Sequence, residues 1–219
     1  MVKIAALLGD FYHSAPEAKA GLEAAVAKLP NKENIQIKYV SHEQLSQALD
    51  EKPDLFINAK MDQLNPKEDP AHTWLTEELD QKLVNYAEEG GSILAWHAGL
   101  AGYPVESGYI KMLHGYFDYH PPGLQEVTYL LKVGEKTGND SFTIMDEQYF
   151  VVCDEWNTEV DLWSTGVHGD SLAGWKHLFG KGKVCCYTPA HTREGMLNKY
   201  VRMLLTQRFQ WLLEKSFNG

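Results

Sequence analysis

The chain has 219 residues, of which 44% are hydrophobic and 23% are charged, and its net charge is −10. These values are typical of a globular protein with one sizeable core, so we predict a single domain over residues 1–219. The acidic balance argues against a nucleic acid or an anionic membrane as partner, and no apolar stretch approaches the ~20 residues that cross a bilayer. We therefore expect a cytoplasmic protein with no nucleic-acid or membrane partner.

Strand and helix signals alternate through the first hundred residues. Continuous apolar runs, typical of strands buried on both faces, predict strands at residues 3–8, 35–40, 55–59 and 92–96. The intervening patterns predict helices at residues 14–29, 41–50 and 72–89. Ser14 with Glu17, and Ser41 with Gln44, have the spacing of capping boxes. This order requires crossovers between strands and indicates a parallel sheet covered by helices.

The second half of the chain is less regular. An aromatic-rich connection over residues 98–124 is predicted to hold a short helix near 106–113. The remaining patterns predict strands at 126–133, 142–152 and 183–189, and a final helix at 196–213. We predict an α/β fold of the flavodoxin-like, doubly wound type: a mostly parallel sheet with helices on both faces.

The three cysteines, Cys153, Cys185 and Cys186, do not suggest a disulfide framework. Cys185 and Cys186 are adjacent in a predicted strand, where successive side chains point to opposite faces. We expect all three to be structural, reduced thiols, with Cys185 and Cys186 in different layers of the core.

The most informative residue is His97, which follows the predicted strand at residues 92–96 in a turn of small residues. In open α/β sheets, ligands and reactive groups gather at the carboxyl ends of the strands. A side chain in such a turn projects into the crevice, as the nucleophile of a strand–turn–helix elbow does. An imidazole there favours acid/base work, metal ligation or substrate binding, and the structural alternative is a histidine satisfied by backbone groups.

Three further histidines lie in comparable positions. His13 and His191 each follow a predicted strand, and His120 lies in a turn stiffened by two prolines. If the sheet is parallel, His13, His97 and His191 emerge at one edge, with His120 at the rim of the pocket. His97, His120 and His191 are also candidate ligands for zinc or another divalent metal, although no compact metal-binding motif is present.

A second group of candidates is the segment Asp146-Glu147-Gln148-Tyr149. Its two carboxylates could serve as base, metal ligand or acceptor for sugar hydroxyls, while the plainer interpretation is an acidic turn on a negatively charged surface. Tryptophans in the second half could stack on a sugar ring, but packing in the core is the more common use; these are Trp156, Trp163 and Trp175.

Together these segments resemble the ThuA family, the trehalose-utilisation proteins with a class I glutamine amidotransferase-like fold. The resemblance covers nearly the whole chain and rests on five pieces in order: Gly-Asp-Phe-Tyr-His ending at His13, Gly-Gly-Ser-Ile-Leu-Ala-Trp-His-Ala around His97, Gly-Tyr-Phe-Asp-Tyr-His-Pro around His120, Asp-Glu-Gln-Tyr ending at Tyr149, and Gly-Lys-Val-Cys-Cys-Tyr-Thr-Pro-Ala-His ending at His191. By this resemblance, His97 occupies the place of the amidotransferase cysteine nucleophile and His191 that of the triad histidine. Glutaminase activity is therefore not expected.

The resemblance implies a role in carbohydrate metabolism, with a sugar or keto-sugar as the small-molecule partner. We expect an enzyme doing acid/base chemistry in which His97, His191 and Glu147 are catalytic and His13, His120, Asp146 and Tyr149 bind substrate. Two alternatives remain open: a non-catalytic sugar-binding or regulatory protein, and a metal-dependent hydrolase. Assembly as a homo-oligomer is also left open.

Overall fold

The computed structural model describes residues 1–132 and 141–214. It contains thirteen strands in these ranges: β1 Val2–Leu8, β2 Ile35–Tyr39, β3 Leu55–Ala59, β4 Gln63–Asn65, β5 Asp69–Thr73, β6 Ser92–Trp96, β7 Gly115–Tyr119, β8 Gln125–Leu131, β9 Ser141–Asp146, β10 Phe150–Cys153, β11 Glu159–Gly166, β12 Gly169–Phe179 and β13 Gly182–Tyr187. The helices in the same ranges are α1 Ala15–Val26, α2 His42–Asp50, α3 Glu77–Glu88, α4 Gly108–Leu113, α5 Arg193–Met196 and α6 Lys199–Leu213.

Nine strands form one sheet in the order β2-β1-β3-β6-β13-β12-β11-β8-β9. The first five are parallel to one another, and the rest join through antiparallel pairs. The α/β class and the mostly parallel core predicted from the sequence are therefore confirmed. Because β1, β3, β6 and β13 are parallel, the loops that follow them emerge at one edge of the sheet, which we call the carboxyl edge.

Helices cover both faces of the sheet, and each face has its own apolar core. One core includes Leu22 of α1 and Leu205 of α6, and the other includes Leu45 of α2 and Leu83 of α3. The two faces of β13 show the alternation directly, since Cys185 packs in the first core and Cys186 in the second. The placement predicted for these two thiols is confirmed.

Several predicted elements have different boundaries. The helix predicted over residues 72–89 begins only at Glu77, where Thr76 caps it by accepting a hydrogen bond from the Leu79 backbone N–H. The residues before it form β5, which pairs with β4 in a two-stranded antiparallel sheet. The first helix ends at Val26 rather than near residue 29, and Ser14 makes no side-chain capping bond there. The capping box at Ser41 and Gln44 does form.

The strand predicted over residues 142–152 is wrong as a single element. It is two strands, β9 and β10, in different sheets, because Glu147, Gln148 and Tyr149 turn the chain between them. The strands β7, β11 and β12 were not predicted. The partner of β7 is the distant β10, whereas β11 and β12 form a local hairpin closed at Gly166 and Gly169. The final helix begins at Lys199, and a separate short helix, α5, precedes it. The end of the predicted strand at 126–133 lies partly outside the described residues.

No helix in residues 1–132 and 141–214 is long and apolar enough to span a membrane.

Candidate functional site

His97 begins the turn that follows β6. It lies in a short 3-10 helix over His97–Leu100, and its φ of 47° falls in the left-handed region that side chains other than glycine rarely adopt. The residue is buried, with 2% of its surface exposed. A buried, non-glycine residue in this conformation is typical of functional turns, where the surrounding structure supports the strain.

A backbone carbonyl sets the tautomer of His97. Its Nδ1 lies 2.6 Å from the carbonyl oxygen of Thr188, which can only accept, so Nδ1 carries the proton and donates it. Burial lowers the pKa of His97 to about 4, against the opposing influence of Glu147. The imidazole is therefore neutral near pH 7, and the lone pair on Nε2 is available.

His13 is held in the same way, by a carboxylate. Its Nδ1 lies 2.7 Å from Oδ1 of Asp10, and Asp10 also accepts from the backbone N–H of Met61 at 2.9 Å. Burial alone would raise the pKa of Asp10, but the contacts with His13 and neighbouring N–H groups hold it below its ordinary value. Nε2 of His13 is buried and has no hydrogen-bond partner within the described residues.

Glu147 and His191 form an ion pair beside His97. Nδ1 of His191 lies 3.0 Å from Oε2 of Glu147 and 3.4 Å from Nε2 of His97, while that carboxylate oxygen lies 3.7 Å from the same Nε2. The contact with Glu147 raises the pKa of His191. Burial opposes ionisation of Glu147, but hydrogen bonds to the two imidazoles bring its pKa below the ordinary value.

Asp146 supports this pair from behind. It is fully buried, and its carboxylate accepts from the Tyr129 hydroxyl at 2.7 Å and from the backbone N–H groups of Glu147 at 3.0 Å and His191 at 2.7 Å. Burial raises the pKa of Asp146 to about 7, although these three donors oppose the shift. Its contacts tie together the two loops that carry Glu147 and His191, which differs from the substrate contact expected from the sequence.

The remaining predicted residues border this group. The ring of Tyr149 stacks on His97 with centroids 4.2 Å apart, and Tyr149 is almost fully buried. His120 is more exposed; its Nε2 lies 4.0 Å from Oε2 of Glu147, and its Nδ1 lies 2.8 Å from the carbonyl oxygen of Pro121. Of the tryptophans, Trp175 is buried in the core and Trp156 is 95% exposed.

Four side chains thus converge at the carboxyl edge, and we call them the histidine cluster: His13, His97, Glu147 and His191. Each offers one nitrogen or oxygen atom, and the four atoms lie within 4.8 Å of one another. Three of these residues were predicted as catalytic, and His13 as a substrate contact. His120, which the sequence grouped with His97 and His191 as a metal ligand, is not among the four.

The cluster borders a cleft of about 520 Å³ that opens at the carboxyl edge. Its lining residues are Glu17, Leu124, Glu147, His191, Thr192, Arg193 and Glu194. A larger cavity of about 960 Å³ lies at the opposite edge, next to the first residues of β6 and β13, and none of the predicted site residues lines it. We take the cleft as the candidate site because two of the four cluster residues, Glu147 and His191, line it.

Two residues that orient the imidazoles were not identified from the sequence. Thr188 contributes only its backbone carbonyl, a group that every residue type has, so the sequence does not indicate this role. Asp10 had a usable signal, since an aspartate three residues before a histidine in the same loop can reach its ring.

Comparison with known proteins identifies the family of the chain. The model of the ThuA family, described as trehalose utilisation, matches residues 10–212. The chain belongs to the ThuA family. This membership gives the protein a carbohydrate-related role, and comparison with curated proteins found no match.

Solved structures share the fold of this ThuA-family chain. A ThuA-like protein from Bacteroides uniformis is 17% identical, with a TM-score of 0.72 over 100% of this chain and 94% of that one. A protein described as a cytoplasmic protein of Salmonella typhimurium LT2 is 14% identical, with a TM-score of 0.65 over 96% of this chain and 99% of that one. A β-galactosidase from Rahnella sp. R3 matches over 100% of this chain but only 32% of its own length, with 12% identity and a TM-score of 0.65. At these identities the likeness concerns the fold.

Proposed function

We propose that this ThuA-family protein is a cytoplasmic enzyme that moves a proton on a sugar or keto-sugar bound in the cleft. The observation that carries the proposal is the lone pair on Nε2 of His97, fixed by the Thr188 carbonyl and directed at the pair of His191 and Glu147. A group able to accept a proton lies beside one that donates a proton, which is the arrangement that general acid/base catalysis requires.

The reaction class follows from what these groups can do. A carbon next to a sugar ketone is acidic enough for a positioned base to remove its proton, and the electron pair then forms an enediolate with the carbonyl oxygen. Return of the proton to the former carbonyl carbon, with transfer of the adjacent hydroxyl proton to the former carbonyl oxygen, isomerises the sugar. Its return to the same carbon gives exchange or epimerisation. His97 and His191 would move the proton, with Glu147 holding His191 in place.

The charge of the cleft favours an uncharged sugar over a sugar phosphate. Three carboxylates, those of Glu17, Glu147 and Glu194, line it against two cationic groups, the guanidinium of Arg193 and the His191 imidazole that pairs with Glu147. Carboxylates accept hydrogen bonds from sugar hydroxyls but repel a phosphate group. We therefore place neutral mono- and disaccharides and their keto forms first among the substrates.

The test is incubation with neutral keto-sugars in deuterated water, followed by NMR for deuterium at the carbon next to the ketone and for isomerised product. We expect exchange or isomerisation by the parent protein and a loss of about 10²–10⁴-fold in His97→Gln. His168→Gln, which changes an exposed histidine, is the matched control and should keep full activity.

Binding of the sugar without exchange or product would overturn the enzymatic proposal and favour a non-catalytic sugar-binding protein. Equal activity in His97→Gln and the control would remove His97 from the mechanism. Thermal unfolding of both variants shows whether a loss of activity comes from loss of the fold.

A further inference from the structure

We propose that the histidine cluster binds one divalent transition-metal ion, with His13, His97, His191 and Glu147 as ligands and zinc as the ion that fits best. Three imidazoles and one carboxylate are ligands of the nitrogen and oxygen type that zinc, cobalt and nickel prefer. Calcium and magnesium prefer sites built from oxygen atoms alone.

The spacing of the ligand atoms fits a tetrahedral metal site. In a tetrahedral zinc site with zinc–nitrogen bonds near 2.0–2.1 Å, neighbouring ligand atoms lie about 3.3 Å apart. The three distances among His97 Nε2, His191 Nδ1 and Glu147 Oε2 are 3.0, 3.4 and 3.7 Å. The ligand atom of His13 completes a group of four atoms that lie within 4.8 Å of one another.

The hydrogen bonds made by the other ring nitrogens of these histidines also support a metal site. Histidines that bind metals usually donate their other ring N–H to a carboxylate or a backbone carbonyl, which fixes the tautomer and directs the lone pair at the ion. His13 donates from Nδ1 to Asp10, and His97 donates from Nδ1 to the Thr188 carbonyl. The free nitrogen of His13 is buried without a hydrogen-bond partner among residues 1–132 and 141–214, an arrangement that a bound ion would satisfy.

This inference shares the pocket with the proposed function, but metal binding can be measured without a substrate. With an ion bound, His97 and His191 would be ligands and would not themselves exchange a proton with the sugar. His120, which lies 4.0 Å from Glu147 outside the ligand set, would then be the nearby group left to move a proton.

The experiment uses protein purified without a polyhistidine tag. Its metal content is measured by mass spectrometry, the protein is stripped with a chelator, and zinc and cobalt are titrated back by calorimetry and visible absorption. We expect one ion per chain and a cobalt spectrum with the intense visible bands of four-coordinate sites. Binding of no divalent transition metal by the stripped protein would overturn the proposal.

Variants locate the site. His13→Gln and His191→Asn should each weaken zinc binding by more than about 100-fold. Asp10→Asn, which removes the charged support of the His13 ring and disturbs the loop N–H groups that Asp10 accepts from, should weaken it by about 10–100-fold. His120→Gln is the matched control and should bind zinc as the parent protein does. Loss of binding in His120→Gln with retention in His13→Gln would overturn the ligand set, and circular dichroism shows that each variant is folded.

The two proposals fail in different ways. Conversion of a keto-sugar by protein that binds no metal would overturn the metal site and leave the proposed proton transfer intact. Stoichiometric metal binding at the cluster with no conversion of any sugar would uphold the site and overturn the proposed function.

Discussion

At the scale of single residues, two acidic side chains in this site have different structural roles, which residue type alone does not predict. Asp146 and Glu147 are adjacent acids, yet Asp146 is sealed inside the protein and Glu147 faces the imidazoles. Asp146 ends β9 with its side chain directed inward, where it accepts three hydrogen bonds. The loop then exposes Glu147 to the cleft. The Asp146 carboxylate therefore positions the loops of the site, whereas the Glu147 carboxylate is one of the groups in the site.

Replacement of Asp146 tests this positioning role. Asp146→Ala leaves two backbone N–H groups and the Tyr129 hydroxyl buried without their acceptor, at roughly 1–3 kcal/mol for each donor that finds no water. Asp146→Asn is the matched variant, since its Oδ1 can still accept from Glu147 and His191. We expect urea unfolding to show a much larger loss of stability for the alanine variant. Equal stability of the two variants would contradict this role for Asp146.

At the scale of elements, the turn after β6 is shaped by close packing against β3. An added Cβ at Gly99 would lie 2.0 Å from the backbone carbonyl oxygen of Asn58, so only glycine fits. The Asn58 side chain donates at 2.8 Å to the hydroxyl groups of both Tyr103 and Tyr109, and Tyr109 donates back to the Gly99 carbonyl at 2.9 Å. This buried network folds the aromatic connection onto the turn that presents His97.

Gly99→Ala should therefore destabilise the protein by about 3 kcal/mol or more, because backbone atoms of two elements must separate. Gly123→Ala is the control: its Cβ would have no atom within 4 Å, and only its φ of +77° opposes the change, at about 1–2 kcal/mol. Chemical denaturation of the two variants gives the comparison. A loss in Gly99→Ala no greater than in Gly123→Ala would show that the turn tolerates displacement.

At the scale of the whole molecule, β13 is the strand that joins the parallel part of the sheet to the antiparallel part. It pairs with β6 in parallel and with β12 in antiparallel fashion, and every one of its residues is buried. Its adjacent cysteines belong to the two separate cores. Exposure of both thiols together requires that both layers of helices leave the sheet.

Thiol labelling can therefore report global unfolding. Burial raises the pKa of Cys185 to about 12, and Cys186 is shifted in the same direction, so neither thiol should react with a disulfide reagent in the native protein. In a Cys153→Ser background, which removes the partly buried thiol, we expect labelling to rise with urea in step with global unfolding. Rapid labelling of either cysteine without denaturant would contradict the burial of β13.

Sequence patterns by themselves determined the parallel half of this protein. Continuous apolar runs, the capping box at Ser41 and Gln44, and the glycines after α3 are local features. They predict β1, β3, β6 and the presence of helices between them from neighbouring residues alone. The same patterns placed His13, His97 and His191 after three parallel strands, which is enough to bring them to one edge. The segment at Glu147 was also recognisable as a candidate from its residue types.

The tertiary structure decided how those residues meet. The Thr188 carbonyl that orients His97 is 91 residues away in the chain, and the Asp146 carboxylate that holds the His191 backbone is 45 residues away. The antiparallel strand β11 likewise depends on pairing with β8, which lies in a distant segment. A difference of a few ångströms decides whether His13 or His120 lies close enough to His97, Glu147 and His191 to share a metal ion with them. Contacts between distant segments set such distances, because the local pattern fixes the element on which a side chain lies but not how closely its neighbours pack.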